Sequence, residues 1–182
     1  MTDETPTWST LFELLGPIHD DVHVFARRIA RSNAEGDDVF QDAVLRAARK
    51  LPTLHDRTRF KSWMYSVVVS VHRTRRRGAF WRRWISSDPP DLVGDDGARW
   101  ADETASADRA TAALATLEPA QREAIVLFEL HGYSIEEIAE IQRASVPAVK
   151  SRLTRGRDRL RKFYLALGQP SLSLTTEEVC RG

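Results

Sequence analysis

The residues best suited to bind DNA lie near the C-terminus, on a stretch with helical spacing. Apolar residues and one glycine recur at intervals of three and four from Val146 to Phe163, which predicts one buried seam along a helix. At about 100° per residue, hydroxyl, ammonium and guanidinium groups fall on the outer face and its flanks. Hydroxyls bond bases or phosphates, and a guanidinium grips guanine through two parallel bonds. The predicted DNA-binding residues of this helix are Ala148, Lys150, Ser151, Arg152, Thr154 and Arg155.

A shorter helix is predicted directly before this one. Ser134 and Glu137 have the spacing of a capping box, and apolar residues follow them. The chain then breaks at Arg143, while Ser145 suits the N-cap and Pro147 the first turn of the next helix. Two helices joined by such a tight break form a helix-turn-helix, which presents its second helix to the major groove. The alternative interpretation is an ordinary helical hairpin with a solvated basic face.

Charge is segregated along the chain, although the formal net charge is only +1. Residues 57–87 contain nine Lys or Arg and no acid, and residues 143–162 contain eight bases and one acid. Between them, residues 88–108 contain seven acids and one base. Two basic lobes are therefore separated by an acidic segment, and each lobe is suited to bind a polyanion.

The rest of the chain also has helical spacing and few strand signals. An apolar face recurs from Val22 to Ile29, and a further helix is predicted over about 59–76. We predict that Gly36–Asp38 breaks and recaps the chain before a helix that ends near Leu51. These patterns predict an all-α protein of two small helical domains joined by an acidic flexible linker, with the helix-turn-helix in the C-terminal domain.

The domain boundary is predicted in a run rich in proline, glycine and aspartate. We divide the chain into an N-terminal segment 1–16, a helical domain 17–85, an acidic linker 86–105, a helix-turn-helix domain 106–166 and a flexible tail 167–182.

Other kinds of site have little support. His19 and His23 are four residues apart, a spacing that binds metal, but no third ligand is identifiable. The single cysteine, Cys180, excludes an intramolecular disulfide framework and suits a reducing compartment. The N-terminus is acidic and polar, unlike a secretory signal, and no apolar run approaches the roughly 20 residues that span a bilayer. We therefore expect a cytoplasmic protein without enzymatic activity, cofactor, metal or membrane insertion.

The C-terminal lobe contains the stretch LEPAQREAIVLFELHGYSIEEIAEIQRASVPAVKSRLTRGRDRLRKF. This stretch resembles the DNA-binding domain of the bacterial σ70-family RNA polymerase sigma factors, and in particular of their extracytoplasmic-function (ECF) group. The helix that docks on core polymerase is similar to GDDVFQDAVLRAARKL, and the promoter −10 segment is similar to FKSWMYSVVVSVHRTRRR. The resemblance covers about residues 17–165.

The resemblance implies a transcription initiation factor that binds core RNA polymerase and promoter DNA. It also implies an anti-sigma factor as partner, and the free protein is expected to be a monomer. The helix-turn-helix residues named above are expected to contact the −35 element. The residues expected to dock on polymerase are Asp38, Gln41, Asp42, Leu45 and Arg46. The residues expected at the −10 element are Ser70, His72, Arg73, Arg75, Arg76 and Arg77.

Two positions depart from the family pattern. Ser70 stands where the family commonly has Asn, near a flipped −10 base, so that base contact is in question. Arg143 stands in the helix-turn-helix break, where Gly is frequent. If the break requires a positive φ, a non-glycine residue there costs on the order of 1 kcal/mol.

One alternative function stays open at this point, a helix-turn-helix regulator that acts without polymerase. It accounts for the C-terminal lobe but not for the docking-like helix or the basic −10-like segment. Such a regulator would normally dimerise to bind paired half-sites, and no heptad seam outside the recognition helix is available for that purpose.

Overall fold

The structure, a computed structural model, describes the backbone of residues 7–85 and 103–168 and the side chains of residues 8–79 and 108–168. Within these residues every regular element is a helix, which confirms the predicted all-α class. The chain divides into two compact units after Asp96. Most of the predicted linker 86–105 and of the predicted tail 167–182 lies outside the described residues, and the predicted domain boundaries stay predictions.

The first unit is a bundle in which three long helices pack against one another and a short N-terminal helix adds to them. Its helices are α1 (Thr7–Leu15), α2 (His19–Ile29), α3 (Asn33–Lys50) and α4 (Phe60–Ile85), with 3-10 turns at Gly16–Ile18, Leu51–Thr53 and Arg57–Arg59. The predicted apolar face of α2 is confirmed, since Val22, Phe25 and Ile29 are all buried. The helix predicted over about 59–76 is α4, which extends to Ile85.

Helix α1 was not predicted from the sequence, yet it contributes to the bundle. Leu11 and Leu15 are buried, and α1 packs against α3. Burying a side chain of this size contributes about 1.5–3 kcal/mol. The helix was missed because its two core residues alone make a weak periodic pattern.

The predicted break at Gly36–Asp38 is wrong, because these residues lie inside α3. The helix begins earlier, where the Ser32 hydroxyl accepts a hydrogen bond from the Glu35 amide at 3.2 Å. Gly36 has a packing role instead: a Cβ there would lie 2.4 Å from the Cα of Arg27 on α2. The glycine allows two helices to approach closely, and a breaker was inferred where a contact surface exists.

The second unit contains α5 (Glu103–Ala115), α6 (Pro119–Ile125), a π-helical turn (Val126–Leu130), α7 (Ile135–Gln142) and α8 (Val146–Ala166). Helix α8 packs mainly against α6 and α7. Gly156 provides the close approach, since a Cβ there would lie 2.8 Å from Cγ1 of Ile125. The buried apolar residues of this core are Ala113, Leu114, Leu117, Ala124, Ile125, Val126, Leu127, Tyr133, Ile138, Ala139, Ile141, Val149, Leu153 and Leu160.

Candidate nucleic-acid interface

The helix-turn-helix forms as the sequence predicts, from caps at both helix starts. The Ser134 hydroxyl accepts from the Glu137 amide at 3.2 Å, and the Ser134 amide donates to the Glu137 carboxylate at 2.8 Å. At the start of α8, the Ser145 hydroxyl accepts from the Ala148 amide at 3.4 Å, and proline occupies the first turn. Each such cap stabilises its helix by about 1 kcal/mol.

The break itself has left-handed backbone geometry. Arg143 has φ 50° and ψ 55°, and it is the one non-glycine residue with positive φ in the described part of the chain. The amide of Arg143 donates to the Glu140 carbonyl at 3.1 Å, and that of Ala144 donates to the Ala139 carbonyl at 2.9 Å. These bonds satisfy carbonyls at the end of α7, so the strain of roughly 1 kcal/mol is compensated locally.

Helix α8 separates a buried seam from an exposed outer face. Val149, Leu153, Gly156 and Leu160 are buried, as the spacing predicts, while the ends of the seam are partly exposed. Of the predicted DNA-binding residues, Ser151, Thr154 and Arg155 are exposed, and Ala148, Lys150 and Arg152 are partly exposed. The predicted residues therefore share one accessible side of the unit.

Arg152 differs from the other predicted contacts because part of its guanidinium is bonded to protein. Its Nη1 donates to Oε1 of Gln142 at 2.7 Å, from α8 to the last residue of α7. Gln142 is 1% exposed, and its own amide nitrogen donates to the buried carboxylate of Glu123 at 3.1 Å. Sequence reasoning missed both partners, since neither has an apolar or basic pattern that would single it out.

In the first unit, the predicted −10 residues lie along the second half of α4. Ser70, Arg73 and Arg76 are partly exposed, and Arg77 is exposed. They lie on one helix, and their contacts with DNA stay predictions.

His72 does not lie on this surface, which corrects the sequence-based assignment. The residue is 1% exposed and belongs to the core of the bundle. It lies one helical turn after the fully buried Val68. Helix α4 packs against both α2 and α3, so its buried face is wide enough to include position 72. The resemblance alone gave no information about the width of that face.

The structure joins two predicted surfaces through Arg75. Its Nη2 donates to Oδ2 of Asp38 at 2.7 Å, and its Nη1 donates to a carboxylate oxygen of Asp42. The two acids are predicted polymerase contacts on α3, and Arg75 is a predicted −10 contact on α4. A predicted −10 residue thus forms ion pairs with two predicted polymerase-docking residues. Because the partners are more than thirty positions apart in the chain, the sequence did not indicate that they pair.

The predicted docking residues share the outer side of α3. Asp38, Gln41 and Leu45 are exposed, and Asp42 and Arg46 are partly exposed. Leu45 is 48% exposed, so an apolar side chain faces solvent amid charged and polar neighbours. This combination suits a protein contact with an apolar centre and a polar rim.

Asp37, next to this face, is an electrostatic centre that the sequence did not reveal. Its carboxylate accepts from Nε of Arg27 at 2.6 Å and from Nη2 of Arg27 at 2.9 Å, and it lies 2.6 Å from Nε2 of His23. The hydrogen bonds from Arg27 and His23 lower the pKa of Asp37 to about 2. The hydrogen bond to Asp37 in turn raises the pKa of Arg27. This cluster fastens α2 to α3.

No metal centre is found in the parts of the chain that the structure describes. Among those residues, no group of three or more His, Cys, Asp or Glu side chains is arranged to hold an ion. His19 and His23 instead contact the ring of Phe40, with centroids 5.1 and 4.9 Å away.

None of the helices in residues 7–85 and 103–168 is long and apolar enough to span a membrane.

Comparisons with known proteins match both units in the order that the sequence suggested. The family model for Sigma-70 region 2 matches residues 14–82, and that for Sigma-70 region 4 matches residues 107–160. The ECF RNA polymerase sigma factor SigM of Mycobacterium tuberculosis is 33% identical over 155 residues, which cover 82% of this chain and 76% of SigM. The chain belongs to the ECF sigma factors.

Other relatives support the same family. The RNA polymerase sigma factor CarQ of Myxococcus xanthus is 28% identical over 147 residues, which cover 78% of this sigma factor and 82% of CarQ. The fold is shared with sigma factor RpoE in complex with the anti-sigma factor NepR from Bartonella quintana, at a TM-score of 0.69, 22% identity and coverage of 84% and 95%. It is also shared with CnrH in complex with the cytosolic domain of CnrY, at a TM-score of 0.64, 24% identity and coverage of 87% and 90%.

These matches do not favour the alternative of a polymerase-independent regulator. A stand-alone helix-turn-helix protein explains the region 4 match, but it leaves the region 2 match over residues 14–82 without a role.

Proposed function

We propose that this sigma factor binds core RNA polymerase and directs it to promoters by contacting both the −10 and the −35 elements. The observation that carries the proposal is the match of region 2 and region 4, in that order, to two separate helical units. It performs no chemistry of its own: it supplies recognition, and polymerase supplies catalysis.

The second unit contacts the −35 element through the outer face of α8. Ser151, Thr154 and Arg155 are exposed there, and the opposite face of the same helix packs in the core of the unit. An exposed guanidinium on a recognition helix suits guanine in the major groove, and the flanking Lys150 suits phosphate.

The first unit contacts the −10 element through the basic stretch of α4. Ser70, Arg73, Arg76 and Arg77 are accessible there, and Arg75 is shared with the acids of α3. His72 is not part of this proposal, because it is buried. The short Ser70 side chain reaches less far than the Asn common in the family, so we expect a different base preference at that position.

Polymerase docks on the outer side of α3, where Leu45 is the apolar centre and Asp38, Gln41, Asp42 and Arg46 form the polar rim. The protein is a cytoplasmic monomer until it binds polymerase, and an anti-sigma factor holds it inactive. Support for that partner comes from two solved structures of the same fold: RpoE is in complex with the anti-sigma factor NepR, and CnrH is in complex with the cytosolic domain of CnrY.

The test is capture of purified core RNA polymerase by the full chain. Alanine substitution of Asp38, Gln41 and Asp42 together also releases Arg75, so Leu45→Ser is the sharper variant. Leu130→Ser is its matched control, because Leu130 is a similarly exposed leucine, at 58%, in the other unit. We expect wild type and the control to capture polymerase and Leu45→Ser to lose most of the captured amount. Absence of capture by folded wild-type protein would refute the proposal.

A further inference from the structure

Three helices of the second unit meet at one buried amide, the side chain of Gln142. The residue is 1% exposed, although glutamine is usually found at the surface. Its Nε2 donates to the Ala120 carbonyl at 3.0 Å and to Oε2 of Glu123 at 3.1 Å, both on α6. Its Oε1 accepts from Nη1 of Arg152 on α8 at 2.7 Å. All three bonds form from the last residue of α7.

These partners allow the amide only one orientation. Two acceptors lie on the nitrogen side and a cationic donor lies on the oxygen side, so a flipped amide would face donor with donor and acceptor with acceptor. Each lost bond in a buried site leaves a polar group without its partner, which is unfavourable. The network therefore holds the amide, and through it the Arg152 guanidinium, in a fixed position.

Glu123 gives this network its rigidity. Its side chain is 0% exposed, and a carboxylate in the interior persists only where hydrogen-bond donors compensate for lost water. Gln142 supplies one such donor through its amide nitrogen, and the oxygen of the same amide accepts the hydrogen bond from Arg152. The order of the relay is carboxylate on α6, amide at the end of α7 and guanidinium on α8.

The position of Gln142 in the chain links the relay to DNA recognition. The next residue is Arg143, the left-handed residue that turns the chain into the recognition helix. Arg152 is a predicted −35 contact and is partly exposed, so it reaches from the interior to the DNA-binding face. A guanidinium has five N–H donors, and Gln142 occupies one of them. An arginine whose guanidinium is already bonded to protein loses less conformational freedom when it binds DNA.

We infer that Gln142 is a positioning residue for −35 recognition: without touching DNA, it orients Arg152 and so raises the preference for the correct sequence over others. This inference rests on the proposed function and adds to it a residue that lies outside the DNA-facing surface. Sequence preference depends on the direction of the donors, whereas general affinity for DNA depends on charge. Removal of the amide keeps the charge of Arg152 and takes away the bond by which Gln142 helps to set its direction.

The experiment uses the full chain assembled with core RNA polymerase. Wild-type protein first enriches a promoter-length duplex from a library randomised in its upstream half, and that duplex is compared with a version whose upstream half is shuffled. Selectivity is the ratio of the two affinities. We expect Gln142→Met, which keeps the side-chain volume, to lower selectivity about tenfold. Affinity for the shuffled duplex should change less than about twofold, since phosphate contacts persist.

Two comparisons separate positioning from a general loss of stability. Ile138→Val is the matched control, because Ile138 is 0% exposed on the same helix and its substitution weakens apolar packing alone. Its selectivity should equal that of wild type. In an Arg152→Ala background, Gln142→Met should change selectivity less than about twofold, because the residue through which it acts is absent. If Gln142→Met does not fold, Gln142→Asn replaces it, since the shorter amide cannot reach both α6 and α8.

Unchanged selectivity in the Gln142 variant would overturn the inference, as would an equal loss in Ile138→Val or an additive loss in the Arg152→Ala background. Each of these results leaves the proposed function intact, because the wild-type protein would still have enriched a sequence. Failure of wild-type holoenzyme to enrich any sequence would instead overturn the proposed function, and the inference with it.

Discussion

Two arginines, one in each unit, were both predicted to bind DNA, and both donate to partners on a neighbouring helix. Arg75 bonds Asp38 and Asp42 at the surface of the first unit, where the three side chains are between 36% and 58% exposed. Water and salt compete with such a cluster, so each ion pair contributes about 0.2–1 kcal/mol. The cluster can open when another molecule offers its members better partners.

Arg152 belongs to a network that water cannot reach at its inner end. Gln142 is 1% exposed and Glu123 is 0% exposed, so a lost bond there is not replaced by a bond to water. Loss of one partner in such a site costs about 1–3 kcal/mol, and more when a charged group is left behind. The comparison teaches that similar hydrogen-bond geometry produces an adaptable contact in the first unit and a rigid support in the second.

The largest expected effect is that of Glu123→Ala. The change leaves the Gln142 amide without one acceptor and opens a cavity, so we expect the second unit to lose about 3 kcal/mol of stability. Four of the five tryptophans precede the division after Asp96, and the fifth, Trp100, is replaced by Phe in every protein compared, so that fluorescence reports the first unit. Urea unfolding followed by helical circular dichroism should therefore show an earlier transition, while the tryptophan fluorescence transition stays in place. Glu136→Ala, an exposed acid on α7, is the control and should shift neither signal by more than about 0.5 kcal/mol.

Arg155→Ala tests an arginine that is exposed on α8 and belongs neither to the Arg75 ion pairs nor to the Gln142 network. We expect weaker binding of the preferred −35 duplex by roughly 1–3 kcal/mol if Arg155 contacts a base. Binding titrations against single-base variants of that duplex would locate the contacted position. A uniform loss on all duplexes would identify Arg155 as a phosphate contact instead.

Asp42→Asn tests the surface cluster. Arg75 keeps its ion pair with Asp38, and water can replace its bond to the Asp42 carboxylate. The stability of the first unit should therefore fall by less than about 1 kcal/mol, and the loss relative to wild type should be smaller still in about 1 M salt. Tryptophan fluorescence in urea is the measurement. Asp21→Asn is a matched control, since Asp21 makes only a 3.5 Å contact with Lys61. A loss as large as that of Glu123→Ala would contradict the contrast between the two units.

The smallest effect is expected from the pH dependence of Asp37. Its pKa is lowered from the ordinary 3.8 to about 2 in the folded protein by hydrogen bonds from Arg27 and His23. The folded state thus binds the proton less readily than the unfolded chain, so the contribution of Asp37 is fully present above pH 4 and is lost as the pH falls toward 2. Urea midpoints at pH 5, 4, 3 and 2 should fall less steeply in Asp37→Asn than in wild type. Parallel curves would show that the carboxylate is unimportant for stability.

Much of the helix-turn-helix was predictable because its signals are local. The Ser134 and Ser145 caps, the break at Arg143 and the buried seam of α8 each depend on residues a few positions apart. Composition and charge predicted two helical units, and the resemblance to sigma factors added the family, which the comparisons confirm. The same local reasoning failed at Gly36, where the relevant neighbour, Arg27, is on another helix.

The amino-acid sequence by itself determined the helical class, the caps, the basic outer face of α8 and the family of this sigma factor. The helical class, the caps and the basic face follow from hydrophobic periodicity, capping chemistry and charge, which act over one or two helical turns. The family follows from the resemblance of the two lobes to sigma factors. Only the tertiary structure decided that His72 is buried, that Arg75 pairs with the acids of α3 and that Gln142 anchors Arg152. Each of these depends on how wide a helix's buried face becomes, or on which distant side chain it meets. The packing between helices decides the width of the buried face and the identity of the distant partner, and neither can be predicted from one helix alone.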